Sequence, residues 1–250
     1  MRTSFAAMLA CTAVLQGCVI HLEANNADIK LQQTLQLDSQ DIASLKVEAG
    51  AGNLIIEGVD GMNEIVVNTD IFTTQERRYQ LTLSRVGDKA VLIAKHNTNG
   101  IWHESPKIDV TMRVPSHLLM DIEDGSGELV VRNMDNDVDI NDASGALTVM
   151  NINGRVDIED GSGSITVDNV AGDLQIDDGS GDLSVTNVVG SVDIEDGSGA
   201  MRVADVGGMV TIDDGSGAIS VEKTGGLIIT EAGSGGLSFN QINGEVRVDS

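Results

Sequence analysis

The chain has 250 residues with 29 glycines, two prolines and 2% aromatic residues, a composition that favours a β architecture of one or two domains. Its formal net charge of −24 argues against nucleic acid and anionic lipid headgroups as partners, because both would be repelled. Such a charge is compatible with bound cations or high-salt surroundings.

The first seventeen residues have the organisation of a bacterial export signal. Arg2 gives a positive start, residues 5–15 form an apolar run too short to span a membrane as a stable helix, and small residues precede Cys18. The run Leu15-Gln16-Gly17-Cys18 resembles the lipobox of bacterial lipoproteins. We predict a lipoprotein signal peptide at 1–17 and lipid attachment at Cys18, with an ordinary secretory peptide as the alternative.

The cysteine count supports lipid attachment. Cys11 would leave with the signal peptide, so Cys18 is the only cysteine of the predicted mature chain and no intrachain disulfide can form. A lipoprotein terminus carries more than one acyl chain, which gives stable membrane anchoring. Val19 follows the cysteine in place of aspartate, which by resemblance to known lipoprotein sorting favours the outer membrane in a Gram-negative cell.

The segment after the cysteine changes character twice before the sequence becomes regular. Residues 18–30 are polar and without a strong period, which predicts a short tether, and alternating apolar residues begin at 29–37. Residues 69–105 carry most of the aromatic side chains and interrupt the alternating pattern; we call this segment the excursion. Within it, 79–83 and 91–93 predict a hairpin, and 96–106 predicts an exposed loop.

From residue 116 to 250 the sequence repeats every eighteen residues, with a finer period of nine. The tetrapeptide Asp-Gly-Ser-Gly begins at Asp124, Asp160, Asp178, Asp196 and Asp214. Two and four positions after each periodic glycine lies an apolar pair, such as Val156/Ile158, which is the periodicity of a half-buried strand. A strand of about five residues cannot bury its inner face alone, so the repeat predicts stacking into a solenoid.

The predicted fold is an all-β, single-chain parallel β-helix of about eighteen residues per coil, with two short strands in each coil. The two turns of each coil differ. We call one the pinched turn, because glycine leaves it with little more than backbone, and the other the plugged turn, because an aliphatic side chain such as Val170 fills it. The solenoid domain is assigned to 31–250, with an irregular part at 31–115 that includes the excursion 69–105, and regular coils at 116–250.

Every ninth position carries glycine, or once asparagine, and we expect a positive φ at each of these positions. The glycines assigned to the pinched turns are Gly127, Gly145, Gly163, Gly181, Gly199, Gly217 and Gly235.

Polar residues eighteen apart should lie above one another in the stack. An asparagine ladder is predicted at Asn133, Asn151, Asn169 and Asn187, because stacked amides hydrogen-bond along the stack. One acidic column is formed by Asp124, Asp142, Asp160, Asp178, Asp196 and Asp214. A neighbouring column is formed by Glu123, Glu159, Asp177, Glu195 and Asp213, with Asn141 as an interruption and Glu231 as its last member.

The acidic columns raise the question of calcium. Glycine-rich turns at a nine-residue period resemble the calcium-binding nonapeptide rolls of secreted toxins, but Leu183 stands where that motif has its ligand aspartate. The toxin geometry is therefore absent. The carboxylates before the turn remain candidate Ca²⁺ ligands of another kind, and diffuse screening by salt is the alternative; no other cofactor is predicted.

A family resemblance is carried by Val114-Pro115, by the alternating Leu118, Met120 and Ile122, and by Ser126-Gly127-Glu128-Leu129-Val130-Val131. These residues resemble the signature of the bacterial "putative adhesin" β-solenoid family, whose function is unknown. The resemblance covers about 37–250. It implies a right-handed parallel β-helix on secreted or lipid-anchored envelope proteins, and it brings no catalytic residues.

No catalytic constellation stands out in the sequence. The four histidines His21, His96, His103 and His117 lack a metal-ligand spacing or a triad context. Carboxylate pairs occur in every coil, which suits a repeated structural device better than a single glycosidase pair.

The sequence therefore predicts a non-enzymatic, lipid-anchored protein of the cell envelope with a structural or adhesion role. Its expected partners are the membrane, through the lipid, and an envelope protein or a glycan. The first alternative is a carbohydrate-active enzyme or binder that uses the excursion, in which Trp102 and His103 would line a groove. The second alternative is a calcium-binding envelope repeat protein.

Overall fold

The computed structural model describes residues 29–73, 79–96 and 106–249, and these residues form strands and turns without any helix. The predicted signal peptide, Cys18, residues 19–28 and most of the predicted loop at 96–106 lie outside the described residues, as do Trp102 and His103.

Twenty strands make up the described chain. In chain order they are β1 (Ile29–Asp38), β2 (Ser44–Ala49), β3 (Leu54–Val59), β4 (Glu64–Thr73), β5 (Tyr79–Val86), β6 (Lys89–His96), β7 (Lys107–Pro115), β8 (Leu119–Asp124), β9 (Gly127–Met134), β10 (Val138–Asp142), β11 (Gly145–Ile152), β12 (Val156–Asp160), β13 (Gly163–Val170), β14 (Leu174–Asp178), β15 (Leu183–Val188), β16 (Val192–Asp196), β17 (Met201–Asp214), β18 (Ile219–Glu231), β19 (Leu237–Ile242) and β20 (Val246–Val248).

The strands stack as two facing layers. The front sheet has the order β1-β4-β7-β3-β9-β11-β13-β15-β17-β18-β19. The back sheet has the order β5-β6-β2-β8-β10-β12-β14-β16-β17-β18-β20. Strands β17 and β18 continue around a turn and contribute to both sheets.

The eighteen-residue coil is confirmed by the strand register. Ile140 of β10 pairs in parallel with Ile122 of β8 on one side and with Ile158 of β12 on the other, so identical repeat positions stack directly. Inward side chains such as Val149 and Val167 are completely buried in one continuous core. The predicted all-β parallel solenoid is therefore correct, with about seven turns.

The first strands do not stack in chain order. Strand β2 lies between β6 and β8, and β3 lies between β7 and β9, so the first coil is inserted between later ones. The predicted hairpin is confirmed: β5 and β6 pair antiparallel with Val86 opposite Lys89. Strand β4 pairs antiparallel with both β1 and β7. The described strands of the excursion thus extend the two sheets instead of leaving them.

Strands β1 and β5 form the end layer of the two sheets at this side of the stack. Their facing side chains include Leu35, Leu37, Leu81 and Leu83, which are partly buried and pack against the core. The amide of Gln33 donates a hydrogen bond to the hydroxyl oxygen of Tyr79 at 3.1 Å across the two strands. The antiparallel strands therefore act as a cap for this end of the core.

The backbone angles correct the expectation for the periodic glycines. In the pinched turns, Gly127, Gly145, Gly163, Gly181 and Gly199 have φ between 136° and 156°, whereas Gly217 and Gly235 lie outside the left-handed range. The glycines of the other class, such as Gly172, have no such φ. They are glycine because a Cβ at Gly172 would lie 2.4 Å from the carbonyl oxygen of Gly154 in the adjacent coil.

The left-handed residues of the plugged turn are instead the ladder asparagines. The φ angle lies between 57° and 61° at the four ladder residues, Asn133, Asn151, Asn169 and Asn187. Further along the chain it lies between 55° and 57° at Asp205, Lys223 and Gln241. Asparagine tolerates this region better than other side chains with a Cβ. The left-handed residue interrupts the alternation of the strand, so that the next side chain, such as Met134, points into the core.

A substitution in a pinched turn tests the close approach between coils. In Gly181→Ala, the new Cβ would lie 1.4 Å from the carbonyl oxygen of Gly163, at a φ of 153°. We expect a loss of about 3 kcal/mol or more in the free energy of unfolding, measured by denaturant titration.

Two other glycines provide graded controls for this experiment. A Cβ at Gly236 would meet no atom within 4 Å, so Gly236→Ala should change stability by less than about 0.5 kcal/mol. Gly244→Ala places its Cβ 2.1 Å from the oxygen of Gly225, but in the last coil, where the chain can shift, so its effect should be intermediate. Equal effects at all three positions would contradict the stacking constraint.

Candidate functional site

The first acidic column lies inside the solenoid. Asp124, Asp142, Asp160, Asp178, Asp196 and Asp214 are all at least 95% buried. Strand alternation explains this position, because Ile122 points into the core and a residue two positions later has the same direction. The column therefore consists of inward carboxyl groups at the pinched edge, and it neither lies on the surface nor splays into solvent.

Each inner aspartate except Asp124 accepts one hydrogen bond within its own turn. The backbone N–H of Ser180 donates to Oδ1 of Asp178 at 3.0 Å, and the same bond recurs at Asp142, Asp160, Asp196 and Asp214. The second oxygen of each of these carboxyl groups is buried without a hydrogen-bond partner among the described residues. An ionised carboxylate is costly in such a position.

Burial consequently raises the pKa of the inner aspartates. Desolvation, opposed in part by the bond from Ser180, raises the pKa of Asp178 to about 6. For Asp124, desolvation and the neighbouring Asp142 raise the pKa to about 7. The N–H of Ser126 is directed to the carbonyl oxygen of Gly50, so Asp124 lacks the serine hydrogen bond found in the other coils.

The second acidic column lies on the opposite side of the back sheet. Its members Glu123, Glu159, Asp177, Glu195 and Asp213 are exposed, because consecutive residues of a strand point to opposite faces. An inner and an outer carboxylate of one coil therefore do not converge on one cation. Within 29–73, 79–96 and 106–249, no group of three His, Cys, Asp or Glu side chains is arranged to hold a metal ion. Calcium binding stays a prediction.

The predicted asparagine ladder is formed over three of its four members. Asn151 Nδ2 donates to Asn133 Oδ1 at 2.9 Å, and Asn169 Nδ2 donates to Asn151 Oδ1 at 2.8 Å. Asn187 instead donates to Asp168 Oδ1 at 2.7 Å, which also accepts a hydrogen bond from Thr186. A carboxylate is a stronger acceptor than an amide, so the ladder ends where an aspartate is within reach.

A hydrogen-bonded cluster at a turn was not predicted from the sequence. The Ser116 hydroxyl lies 2.8 Å from Asp60 Oδ1 and 2.5 Å from Asp135 Oδ2, and Asn153 donates to Asp135 at 2.6 Å. The hydrogen bond from Ser116 keeps the pKa of Asp135 below its ordinary value. Because its members come from the inserted coil and from regular coils, the cluster fastens the two parts of the solenoid together.

The outer face of β1, β4 and β7 carries polar side chains in register, and we call it the polar face. One row across the three strands is Gln32, Asp70 and Asp109, and the next is Thr34, Asn68 and Thr111. These six residues, with Gln33 and Thr69, line an open depression of about 280 Å³. Amide, hydroxyl and carboxyl groups are thus presented side by side on a rigid sheet.

Hydrogen bonds and ion pairs hold the side chains of the polar face in place. Gln32 Nε2 donates to Asp70 Oδ1 at 2.7 Å, a bond that lowers the pKa of Asp70. A third row places Phe72 between Lys30 and Lys107, whose ammonium groups lie 5.1 and 4.9 Å from the ring centroid. The sequence missed this face, since its rows come from three strands far apart in the chain.

The inner aspartates make the stability of the protein depend on pH. Their pKa values are higher in the folded state than in the unfolded state, so between about pH 4 and pH 7 the folded state binds more protons and the free energy of unfolding falls as pH rises. Asp178→Asn should therefore raise the free energy of unfolding at pH 8 by about 2–3 kcal/mol and have little effect at pH 4.5.

The matched control for this substitution is Asp177→Asn, which removes the same charge from the exposed side of the same strand. Thermal melting of both variants across pH 4.5 to 8 distinguishes the two positions. If the two substitutions flatten the pH dependence equally, general charge repulsion accounts for it and the buried column does not.

Comparisons with known proteins give similarity at the level of fold. No protein-family model and no curated protein matches the chain.

The described part of the chain contains no helical segment with the length and apolar character needed to cross a membrane.

Two solved structures illustrate the similarity. A "putative adhesin" from Bacteroides fragilis aligns with a TM-score of 0.52 and 11% identity over 87% of this chain and 97% of its own. A "putative lipid binding protein" from Parabacteroides distasonis aligns with a TM-score of 0.50 and 13% identity over 88% of this chain and 97% of its own. The chain therefore shares the β-solenoid fold of solved bacterial proteins that carry these names.

Proposed function

We propose that this protein is a non-catalytic, adhesion-like binding protein of the cell envelope. The observation that carries the proposal is the polar face, which presents two in-register rows of amide, hydroxyl and carboxyl groups beside Phe72 on a rigid sheet. The adhesin name of a structural neighbour agrees with a binding role. In this proposal the coils serve as a scaffold, and the inner aspartates and the ladder hold that scaffold together.

The finer part of the proposal is a lipid anchor at Cys18, with the outer membrane as the location in a Gram-negative cell. Cys18 precedes the first strand by eleven residues, a tether of at most about 36 Å. Residues 29–115 contain nine basic and eleven acidic residues, whereas 116–250 contain five basic and twenty-six acidic ones. An anionic membrane would repel the acidic coils, so they would extend away from it.

Substitution of the two cysteines tests the anchor. Cys18→Ser should move the protein from the membrane fraction to the soluble fraction, or leave it as an unprocessed precursor, and should abolish labelling by radioactive palmitate. Cys11→Ser, which changes the other cysteine inside the predicted signal peptide, should leave both readouts unchanged. Unchanged fractionation and labelling in Cys18→Ser would exclude lipid attachment at this residue.

A second candidate function is carbohydrate binding without catalysis, and the chemistry of the polar face favours it. Sugar hydroxyl groups both donate and accept hydrogen bonds, and side chains such as Asn68, Asp70 and Thr111 offer both kinds of partner within one depression. Beside the depression, the ammonium groups of Lys30 and Lys107 over the Phe72 ring add further hydrogen-bond donors. An enzymatic version of this candidate would use Trp102 and His103, which lie outside the described residues.

A glycan array screened with the exported chain tests carbohydrate binding. The double substitution Asn68→Ala/Asp70→Ala should lower the affinity for any glycan bound by at least about tenfold, since each lost hydrogen bond contributes about 1 kcal/mol. The control is Gln175→Ala/Asp177→Ala, which removes one amide and one carboxyl group at the same spacing from the exposed side of β14. Equal losses in both variants would place the glycan elsewhere.

A further inference from the structure

The last coil of the solenoid leaves its inner side chains uncovered. Leu237, Phe239, Val246 and Val248 are 36 to 44% exposed, although they occupy the positions that are buried in every preceding regular coil. Phe239, for example, stands in register with Val221, which is 1% exposed. Most of the large exposed apolar residues of the described chain lie in this coil.

The strand edges of this coil are also free. Strands β19 and β20 each pair with β18 on one side, and no described strand pairs with their other side. At the opposite end, β1 and β5 also pair on one side only among the described residues, but their inward side chains, such as Leu35 and Leu81, are partly buried against the core. Solenoids need caps for solubility, and a free strand edge beside exposed apolar side chains favours pairing with another chain.

Phe239 differs from its column in a way that suits an interface. The equivalent residues of the preceding regular coils, from Val131 to Val221 at intervals of eighteen, are all valine. Phe239 is also the only aromatic residue of the regular coils at 116–250. Aromatic residues are enriched at protein interfaces, where their large surface is removed from water.

Charge further separates this coil from the rest of the solenoid. Residues 232–249 contain two carboxylates and one arginine, Glu245, Asp249 and Arg247. By contrast, residues 178–195 contain four carboxylates and no basic residue: Asp178, Asp182, Asp193 and Glu195. Ala232 also replaces the inner aspartate of the column. Two copies of this chain would therefore repel each other less at this end than along the sides of the preceding regular coils.

From these observations we infer that the last coil is a self-association surface, which a second copy of this chain covers end to end. A two-fold axis across the end places β19 of one copy antiparallel to β19 of the other, so the same free edge serves both copies. The inner faces of the two solenoids then form one continuous core, in which the Phe239 rings of both copies are buried. Because a two-fold interface uses the same surface of both copies, the assembly closes at two chains.

Sedimentation of the full chain carrying Cys18→Ser, which excludes association through lipid, tests the inference. We expect a concentration-dependent dimer, and Phe239→Glu should weaken its association constant by at least about a hundredfold because it buries two unpaired carboxylates. The matched control is Val189→Glu. Val189 is 69% exposed on a lateral turn, so its substitution should leave the dimer unchanged.

Hydrogen exchange of the unsubstituted residues provides a second measurement that does not depend on how the variants fold. Backbone amides of β19 should become protected as the protein concentration rises, while those of the outer strand β5 should not. A protein that stays monomeric at all concentrations, or a dimer that Phe239→Glu and Val189→Glu affect equally, would overturn the inference. In the monomeric case, a strand from a different protein would be left as the occupant of the end.

Discussion

The close approach of successive backbones at the pinched turn is the constraint on which the rest of the structure depends. A Cβ at Gly181 would lie 1.4 Å from the carbonyl oxygen of Gly163, so only glycine allows the coils to stack at the spacing of paired strands. Once this spacing is fixed, residues of the regular coils lie above the residues eighteen positions earlier, apart from a shift of one residue within the pairing of β17 with β18. Ile158 then covers Ile140, and repeated polar residues meet copies of themselves, as Asp160 does at Asp142.

This like-on-like stacking has opposite consequences for amides and carboxyl groups. An amide has a donor and an acceptor, so Asn151 can bond to Asn133 and receive a bond from Asn169. An ionised carboxylate only accepts, and a column of them lacks donors; the serine N–H groups satisfy one oxygen of each inner aspartate except Asp124. Protonation is the remaining way to remove the buried charge, which explains why burial raises the pKa of Asp178.

The repeat made the fold predictable from the sequence. The features that we did not predict show where the local sequence pattern does not determine the structure. Strands, coil length and the buried plugs follow from apolar residues at fixed spacing, because each coil meets the same environment. The inward direction of Asp124 could also have been predicted, because Ile122, two residues earlier on the same strand, points into the core. In the plugged turn the positive φ occurs at Asn133, whereas we predicted it three residues later, at the periodic position of the turn. The pattern alone could not distinguish the two positions, because both glycine and asparagine mark turns. The insertion of β2 between β6 and β8, and the polar face, depend on pairings between distant segments that no local period encodes.

A solenoid is an open structure, because each coil is covered by its neighbours and the outermost coils have only one. In this protein the two ends meet this problem differently. Antiparallel strands close the end nearest the predicted anchor and also create the polar face, so capping and recognition arise from the same departure from the repeat. At the other end the parallel pairing of the repeat continues, while its aspartate and valine positions become Ala232 and Phe239. The backbone of that coil still fits a further strand, and its side chains have lost the charge that would keep a second copy away.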